Sequence, residues 1–337
     1  MKHDQGFEAL FGGVGGHVPQ GMWVAWSTSV ICAKDSDLRA DGATVQPLRR
    51  NRARGFRNFL LRNLFSLQSW RRGGEIPRMP LIDAEISEGI GTITFINPAK
   101  RNCLSGAAVA EILQALEEFE KERVIVVVLR APGGSKVWSA GHDVNELPKP
   151  GRDPLPYAGP LESLLRRIQE YPGAVLAMVQ GSVWGGACDL TFSCDILIGD
   201  ETASFAMTPA KIGIPYNPSG LIHFINLLGL NKAKEMFFTA EPITAQDSFN
   251  LGILNHLVPS GEIVGFTRRL AAKIQSNSPL AIRSFKRQFR LLSSGLPLPA
   301  ETFELIQSIR REVYDSADYS EGIAAFHEKR APVFRGQ

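Results

Sequence analysis

Two continuous apolar runs of branched residues, each followed by a turn of small residues, constrain the fold of this chain more than any other feature. The runs occupy residues 124–129 (VIVVVL) and 175–179 (VLAMV). A strand without polar alternation suits a parallel sheet that is buried on both faces. Helical patterns alternate with strands in this part of the chain. The sequence therefore predicts an α/β core with crossover connections.

After residue 220 helical patterns dominate, so we expect a β-rich core followed by a helical C-terminal part. Ser105 is the expected N-cap of a helix that extends through Glu120. The predicted strands are 90–96, 124–129, 175–179, 196–198 and 203–207. The other predicted helices are 185–192, 221–240, 245–251, 263–274, 280–292 and 300–314.

Residues 1–79 differ from the rest in composition. They contain 12 Lys/Arg and 6 Asp/Glu, for a net charge of +6, in a chain whose total is +3. We interpret them as a basic, disordered extension or as translated sequence upstream of a start at Met79. Residues 56–70 could form an amphipathic helix. The Arg-rich stretch 47–72 faintly resembles an organellar transit peptide, although it does not begin at the N-terminus. A nucleic-acid-binding arm is a weaker alternative, because a basic run alone says little.

Composition favours a soluble protein. The chain is 44% hydrophobic and 21% charged, and it contains no apolar run near the ~20 residues that span a membrane. Its cysteines are scattered, which indicates reduced thiols in a cytoplasmic protein. The mitochondrial matrix is the alternative if the extension is a transit peptide. No Cys/His spacing fits zinc, and no metal is predicted. The four cysteines are Cys32, Cys103, Cys188 and Cys194.

The two turns after the apolar runs carry the candidate chemistry. Residues 136–147 (KVWSAGHDVNEL) follow the first run, and residues 181–190 (GSVWGGACDL) follow the second. Gly185 and Gly186 should open a helix whose free N–H groups attract an anion. One backbone donor from each turn would form an oxyanion hole. The alternative is that the glycines serve packing alone.

The segments SAGHD at 139–143 and GSVWGGACDL at 181–190 resemble the two signatures of the enoyl-CoA hydratase/isomerase (crotonase) superfamily. Further matches are KRNCLS at 100–105, ITAQDSFNLG at 243–252 and YSEGIAAFHEKR at 319–330. The resemblance implies a spiral of ββα units at 80–275 and a helical trimerisation region at 276–337. It implies a homo-oligomer, a trimer or a dimer of trimers, with an acyl-CoA thioester as substrate. It implies no separate cofactor, no nucleic acid and no membrane.

Carried over from the family, the backbone N–H groups of His142 and Gly186 would bind the thioester oxygen. Hydratases of the family use two glutamates, and here those positions hold Asp189 and Pro209. Adding water to a double bond needs a positioned base and acid. Proline can be neither, and aspartate is one methylene shorter than glutamate. The sequence therefore disfavours hydration.

The tripeptide PYN at 215–217, together with SVWGGA and the SAGHD–NELP pairing, resembles the branch of the family that decarboxylates methylmalonyl-CoA to propionyl-CoA. The resemblance implies that Tyr216 orients the substrate carboxylate. Trp184, Met207 and Ile214 are the expected apolar walls. Isomerisation, thioester hydrolysis and hydration are the alternatives within the family. The alternative from a different functional class is a non-catalytic acyl-CoA-binding protein.

The remaining site predictions concern substrate contacts, and each has a structural alternative. The imidazole of His142 could be incidental, Asp189 could be a structural helix residue, and Tyr216 could be a buried aromatic. Lys329 could be a solvated surface lysine rather than a contact to a CoA phosphate. The predicted substrate-binding residues are Arg101, Leu104, Ala140, Asp143, Val144, Trp184 and Lys329.

Overall fold

The computed structural model describes residues 79–293 and 299–334, and its strands form two sheets. One sheet has six strands in the order β1-β2-β3-β5-β7-β10, and the other has four in the order β4-β6-β8-β9. The strands are β1 (Ile82–Ser87), β2 (Ile90–Phe95), β3 (Val126–Arg130), β4 (Val137–Ser139), β5 (Ala174–Val179), β6 (Ser182–Trp184), β7 (Ile196–Gly199), β8 (Ser204–Ala206), β9 (Ile243–Thr244) and β10 (His256–Leu257).

The two apolar runs lie at the centre of the six-stranded sheet, as predicted. β3 and β5 pair in parallel, with Val127 opposite Val175, and both residues are completely buried. β2 pairs with β3 and β7 with β5, also in parallel, while β1 is antiparallel to β2. The two strands are buried on both faces, since Val127 and Val175 belong to one apolar cluster and Val126 and Leu176 to a second. This explains the missing polar alternation.

Nine helices surround the sheets in the described residues. They are α1 (Gly106–Lys121), α2 (Pro160–Glu170), α3 (Gly186–Phe192), α4 (Pro218–Thr239), α5 (Ala245–Asn250), α6 (Ile263–Gln275), α7 (Pro279–Ser293), α8 (Ala300–Tyr314) and α9 (Ala317–Glu328). The start of α1 confirms the predicted cap, because the Ser105 side chain accepts a hydrogen bond from the Ala108 amide. Ile112 and Leu116 of α1 are completely buried.

Helix α4 departs from the predicted helix at 221–240. It begins earlier, because the Asn217 side chain caps it by accepting a hydrogen bond from the Gly220 amide, and Pro218 occupies its first turn. It is also interrupted at Gly229, whose φ of 72° is not helical. The sequence patterns predicted neither α2 nor α9 as a helix.

The C-terminal helices pack onto the α/β core through polar anchors. Lys286 of α7 donates to the carbonyls of Ile168 and Gly173 and to the Asp195 carboxylate, at 2.9, 3.1 and 2.7 Å. The guanidinium of Arg310 in α8 is buried and pairs with Asp153. The helical C-terminal region of the prediction is thus present, on a mixed α/β core.

Some predictions fall outside the described residues, namely the extension at 1–79 except for Met79, its possible helix at 56–70 and Cys32. The described residues begin at Met79. The boundary at 275/276 lies in the turn between α6 and α7, and the division into two regions stays a prediction. Cys103, Cys188 and Cys194 are buried and free of disulfides.

Candidate active site

The two small-residue turns meet in the structure. Gly141 has a φ of +79°, and a Cβ at this position would lie 2.3 Å from the Trp184 carbonyl oxygen and 2.9 Å from the Gly186 nitrogen. A Cβ on Gly186 would lie 3.5 Å from the His142 nitrogen. Only glycine allows the backbones to approach this closely. The amides of His142 and Gly186 therefore lie side by side, although 44 positions separate them in the chain.

Hydrogen bonds to the segment before α1 hold the first turn. The Ser139 hydroxyl donates to the Asn102 carbonyl at 2.6 Å, and the Asn102 side chain donates to the Trp138 carbonyl at 3.1 Å. The Leu104 amide donates to the Gly141 carbonyl at 2.7 Å. These bonds leave the next amide, that of His142, without an acceptor among the described residues.

The second turn presents the N-terminus of α3. Gly185 precedes the helix with φ 53° and ψ −124°, a conformation that suits glycine alone. Its amide donates to the Ala206 carbonyl at 2.9 Å. The Gly186 amide opens the helix and has no acceptor among the described residues. A free amide at a helix N-terminus favours a negatively charged oxygen.

One turn further along α3, Asp189 is completely buried and binds two side chains. Its Oδ2 accepts a hydrogen bond from the Tyr216 hydroxyl at 2.7 Å. Its Oδ1 lies 2.7 Å from His223 Nδ1. Burial raises the pKa of Tyr216 well above its ordinary value, and the charge of Asp189 raises it further. The phenol therefore stays protonated, and its single proton points at Asp189.

His223 in α4 is the outer member of this buried chain, with 21% of its side chain exposed. Burial opposes its positive charge, but the hydrogen bond and charge of Asp189 outweigh burial and raise its pKa. Its Nε2 lies 2.7 Å from the side-chain nitrogen of Gln169 in α2. Nothing in the local sequence marks His223, which stands in an apolar helix.

Close packing around Gly220 makes the contact of Tyr216 with Asp189 possible. A Cβ at this position would lie 2.2 Å from Cε1 of the Tyr216 ring and 2.7 Å from Oδ2 of Asp189. The ring also packs edge-on against Phe237 and Phe224. Tyr216 is thus both a buried aromatic and a member of a polar network.

A second buried carboxylate, Glu162 of α2, lies beside this network. Its oxygens accept hydrogen bonds from the Asn217 side chain and, at 2.9 Å, from the Ser219 hydroxyl. Burial raises its pKa, and the charge of Asp189 raises it as well. Sequence reasoning missed Glu162, because an acidic residue in a helix is ordinarily solvated.

The imidazole of His142 is largely enclosed. Burial lowers its pKa, which keeps the ring neutral. Its Nδ1 is buried and has no hydrogen-bond partner among the described residues. The backbone amide and the ring are therefore separate candidates for contact with a ligand.

The predicted substrate-binding residues divide into two places. Four of them lie around the two turns. The Ala140 amide donates to the Arg101 carbonyl at 2.9 Å, and Leu104 and Trp184 both contact Gly141 through their backbones. Lys329 is exposed at the C-terminal cap of α9. The roles of all these residues in substrate binding stay predictions.

Asp143 and Val144 begin a short 3-10 turn at Val144–Glu146. The Asp143 carboxylate caps this turn by accepting hydrogen bonds from Asn145 at 3.1 and 2.7 Å. It also lies 3.6 Å from Lys100. Its carboxylate thus has a structural use within the turn.

Pro209 is buried and opens a 3-10 turn, Pro209–Ile212. Met207, one of the predicted apolar walls, is completely buried, and Ile214 is half-buried. The turn carries no carboxylate, because its sequence is PAKI. The α3 carboxylate is therefore not paired with a second acid from this position.

Two negative findings apply to the described residues. No helix there is both long and apolar enough to cross a membrane. No three His, Cys, Asp or Glu side chains are grouped there as a metal ion would require.

Comparison with known proteins defines the class. Residues 85–337 match the family described as enoyl-CoA hydratase/isomerase, and the chain belongs to that family. It is 44% identical to methylmalonyl-CoA decarboxylase of Escherichia coli over 247 residues, which are 73% of this chain and 95% of that protein. It is also 29% identical to the 2,3-dehydroadipyl-CoA hydratase of the same bacterium, over 73% of this chain and 94% of that protein.

The fold agrees with this assignment. A solved structure of methylmalonyl-CoA decarboxylase in complex with 2-nitronate-propionyl-CoA superposes with a TM-score of 0.75 at 42% identity. The superposition covers 77% of this chain and all of that one. The α/β core with a helical C-terminal region is therefore the fold of the family.

Proposed function

We propose that this chain decarboxylates methylmalonyl-CoA to propionyl-CoA. One observation carries the proposal: the free amides of His142 and Gly186 lie side by side, and Gly186 is one helical turn before Asp189, which binds Tyr216. This arrangement occurs in a chain that is 44% identical to a methylmalonyl-CoA decarboxylase. The two amides would donate hydrogen bonds to the thioester oxygen, and Tyr216 would orient the carboxylate that leaves.

The chemistry needs little acid–base machinery. The bond between Cα and the carboxylate carbon breaks, CO₂ leaves, and the electron pair is delocalised onto the thioester oxygen as an enolate. Two backbone donors that already face this oxygen stabilise the charge that develops there. A proton from water then adds to Cα. Holding the breaking bond perpendicular to the thioester plane is the main task of the pocket.

The environment of Asp189 argues against hydration as the main reaction. Its carboxylate is completely buried, and each oxygen already has a partner, one in Tyr216 and one in His223. A general base must reach the water whose proton it takes. Pro209 offers no second acid. These facts favour decarboxylation over hydration or thioester hydrolysis.

Purified protein should be incubated with methylmalonyl-CoA, crotonyl-CoA and butyryl-CoA in separate reactions, and the products separated by chromatography. We expect propionyl-CoA from the first and little change in the other two. A higher kcat/KM for hydration of crotonyl-CoA would favour a hydratase, and release of free CoA would favour a thioesterase. Binding of all three without turnover would favour a non-catalytic acyl-CoA-binding protein.

We also propose a homo-oligomer, a trimer or a dimer of trimers. The support is an exposed set of large apolar side chains on the C-terminal helices, which a soluble protein ordinarily covers. Phe285→Glu combined with Phe289→Glu should reduce the mass measured by light scattering. The control is Gln288→Glu on the same helix, which should leave it unchanged. The exposed side chains are Leu280, Phe285, Phe289, Leu292, Leu305 and Ile309.

The proposal requires no metal, biotin or flavin, since the thioester itself receives the electron pair. We expect full activity of the purified protein after treatment with EDTA. A cytoplasmic location is proposed, with the mitochondrial matrix as the alternative if residues 1–79 direct import. Microscopy of the full chain and of a chain without those residues separates the two.

A further inference from the structure

Tyr216 has one phenolic proton, and two carboxylates, those of Asp189 and of the substrate, compete to accept it in a hydrogen bond. In the structure the proton is donated to Asp189 at 2.7 Å. The proposed function requires the same proton for the substrate carboxylate. A phenol cannot donate to two acceptors at once. The hydrogen bond to Asp189 must therefore be released when substrate binds.

Releasing that bond would be costly if Asp189 had no other partner. Asp189 is completely buried, and a buried carboxylate that loses its hydrogen bonds is strongly destabilised. His223 provides the second partner, with its Nδ1 2.7 Å from Oδ1 of Asp189. A donor on Oδ1, and still more a positive charge there, makes Asp189 a weaker competitor for the phenolic proton.

We propose that His223 is a positioning residue that stabilises Asp189 from its second oxygen and so frees the Tyr216 hydroxyl for the substrate carboxylate. This inference rests on the proposed decarboxylation. It assigns a task to a residue that would act through Asp189. The helix geometry suits the task, since α4 carries His223 just after the turn that holds Tyr216.

The surroundings of His223 decide the expected pH dependence. The charged groups that act on it are Asp189 from α3 and Glu162 from α2, and Tyr216 shares Asp189 with it. Gln169 contacts its other nitrogen and does not titrate. Asp189 raises the pKa of His223, so the imidazolium persists to higher pH than in an ordinary histidine and is lost as the pH rises through that raised pKa. We therefore expect kcat to fall on the alkaline side.

Three variants separate positioning from simple stabilisation. His223→Leu removes the donor and should lower kcat about 10-fold or more, the scale of a hydrogen bond to a charged group, with little change in KM. His223→Asn keeps a neutral donor near Asp189, so it should recover part of kcat. Because asparagine does not titrate, the fall of kcat at alkaline pH (the alkaline limb) should disappear. Glu162→Gln is the control for pH. It should keep the fall of kcat at alkaline pH but move it to lower pH, because the charge of Glu162 also raises the pKa of His223.

The decisive comparison uses Tyr216→Phe as background, with methylmalonyl-CoA as substrate and urea unfolding as a check on folding. If His223 acts through Tyr216, His223→Leu should cause no further loss of kcat in that background. An equal fold-loss in both backgrounds, or an alkaline limb that survives in His223→Asn, would overturn the inference. Absence of propionyl-CoA from the unmodified chain would instead overturn the proposed function and this inference with it.

Discussion

The hydroxyl of Tyr216 donates a hydrogen bond of 2.7 Å to Asp189, a carboxylate with no exposure to solvent. Tyr216, which the family resemblance links to the substrate carboxylate, therefore binds Asp189, which stands where hydratases of the family have a glutamate. The Asp189 carboxylate, which could have activated water, instead holds the hydroxyl of Tyr216. In the proposed mechanism, this one contact occupies the carboxylate that could activate water and positions the phenol that would orient the substrate.

Tyr216→Phe should lower kcat for methylmalonyl-CoA about 10- to 150-fold, because a hydrogen bond to a charged group contributes about 1.5–3 kcal/mol. Asp189→Asn should cost less, since a neutral amide holds the phenol less tightly and water can protonate the enolate. Steady-state kinetics of both variants measures the ranking. A hydratase would show the reverse, with Asp189→Asn costing about 10²–10⁴ and Tyr216→Phe having little effect.

Gly186→Pro should lower kcat/KM about 10²–10³, the usual cost of one oxyanion donor. Proline deletes the amide and is tolerated in the first turn of a helix. Its Cβ would meet Cδ2 of Leu161 at 2.8 Å, the end of a side chain that can shift. Gly186→Ala adds the same Cβ but keeps the amide, so it should retain most of the activity. Equal losses in two folded variants would mean that crowding, not the donor, matters.

Glu162→Gln should stabilise the chain at pH 8 by about 1 kcal/mol, the scale of one hydrogen bond. Burial raises the pKa of Glu162 in the folded state above its unfolded value. The stability that its proton contributes is complete below the unfolded pKa and is lost as the pH rises through the folded one. Glutamine keeps partners for Asn217 and Ser219 and cannot ionise.

Urea unfolding of both proteins at pH 8 and pH 4 measures the Glu162 effect. The difference in the free energy of unfolding should shrink at pH 4, where glutamate is also neutral. A variant that is less stable than the original at pH 8 would show that the ionised form is favoured instead.

A chain beginning at Met79 should assemble and turn over methylmalonyl-CoA like the full chain. The family match begins at residue 85, and no candidate site residue precedes it. Light scattering and kcat/KM of the two chains provide the comparison. A drop in either quantity on truncation would give the first 78 residues a part in assembly or catalysis.

Much of the fold could be predicted because burial leaves a strong pattern. The apolar runs of β3 and β5 are buried on both faces, and the Ser105 cap fixes the start of α1. Helix α2 was missed, since its charged residues hide the apolar stripe of Leu161, Leu164, Leu165 and Ile168. The break at Gly229 was missed as well, because a glycine inside a helical pattern gives no sign of its φ.

The candidate site, like the fold, could be predicted from the sequence only in part. Gly141 and Gly186 could be found because close backbone approach demands glycine, and the order of the two turns is visible in the chain. The hydrogen bonds of Asp189 could not be predicted. Tyr216 and His223 lie 27 and 34 positions away, and Glu162 comes from a helix that precedes them all. Only the fold brings these groups together, so their hydrogen bonds have no local signature.

The most direct test of the central claim is turnover of methylmalonyl-CoA in D₂O, with CO₂ and the acyl-CoA product measured together by mass spectrometry. Decarboxylation through an enolate predicts equal amounts of CO₂ and propionyl-CoA, with one solvent deuteron at Cα of the product. Recovery of unreacted thioester, or of free methylmalonate and CoA without CO₂, would contradict the account.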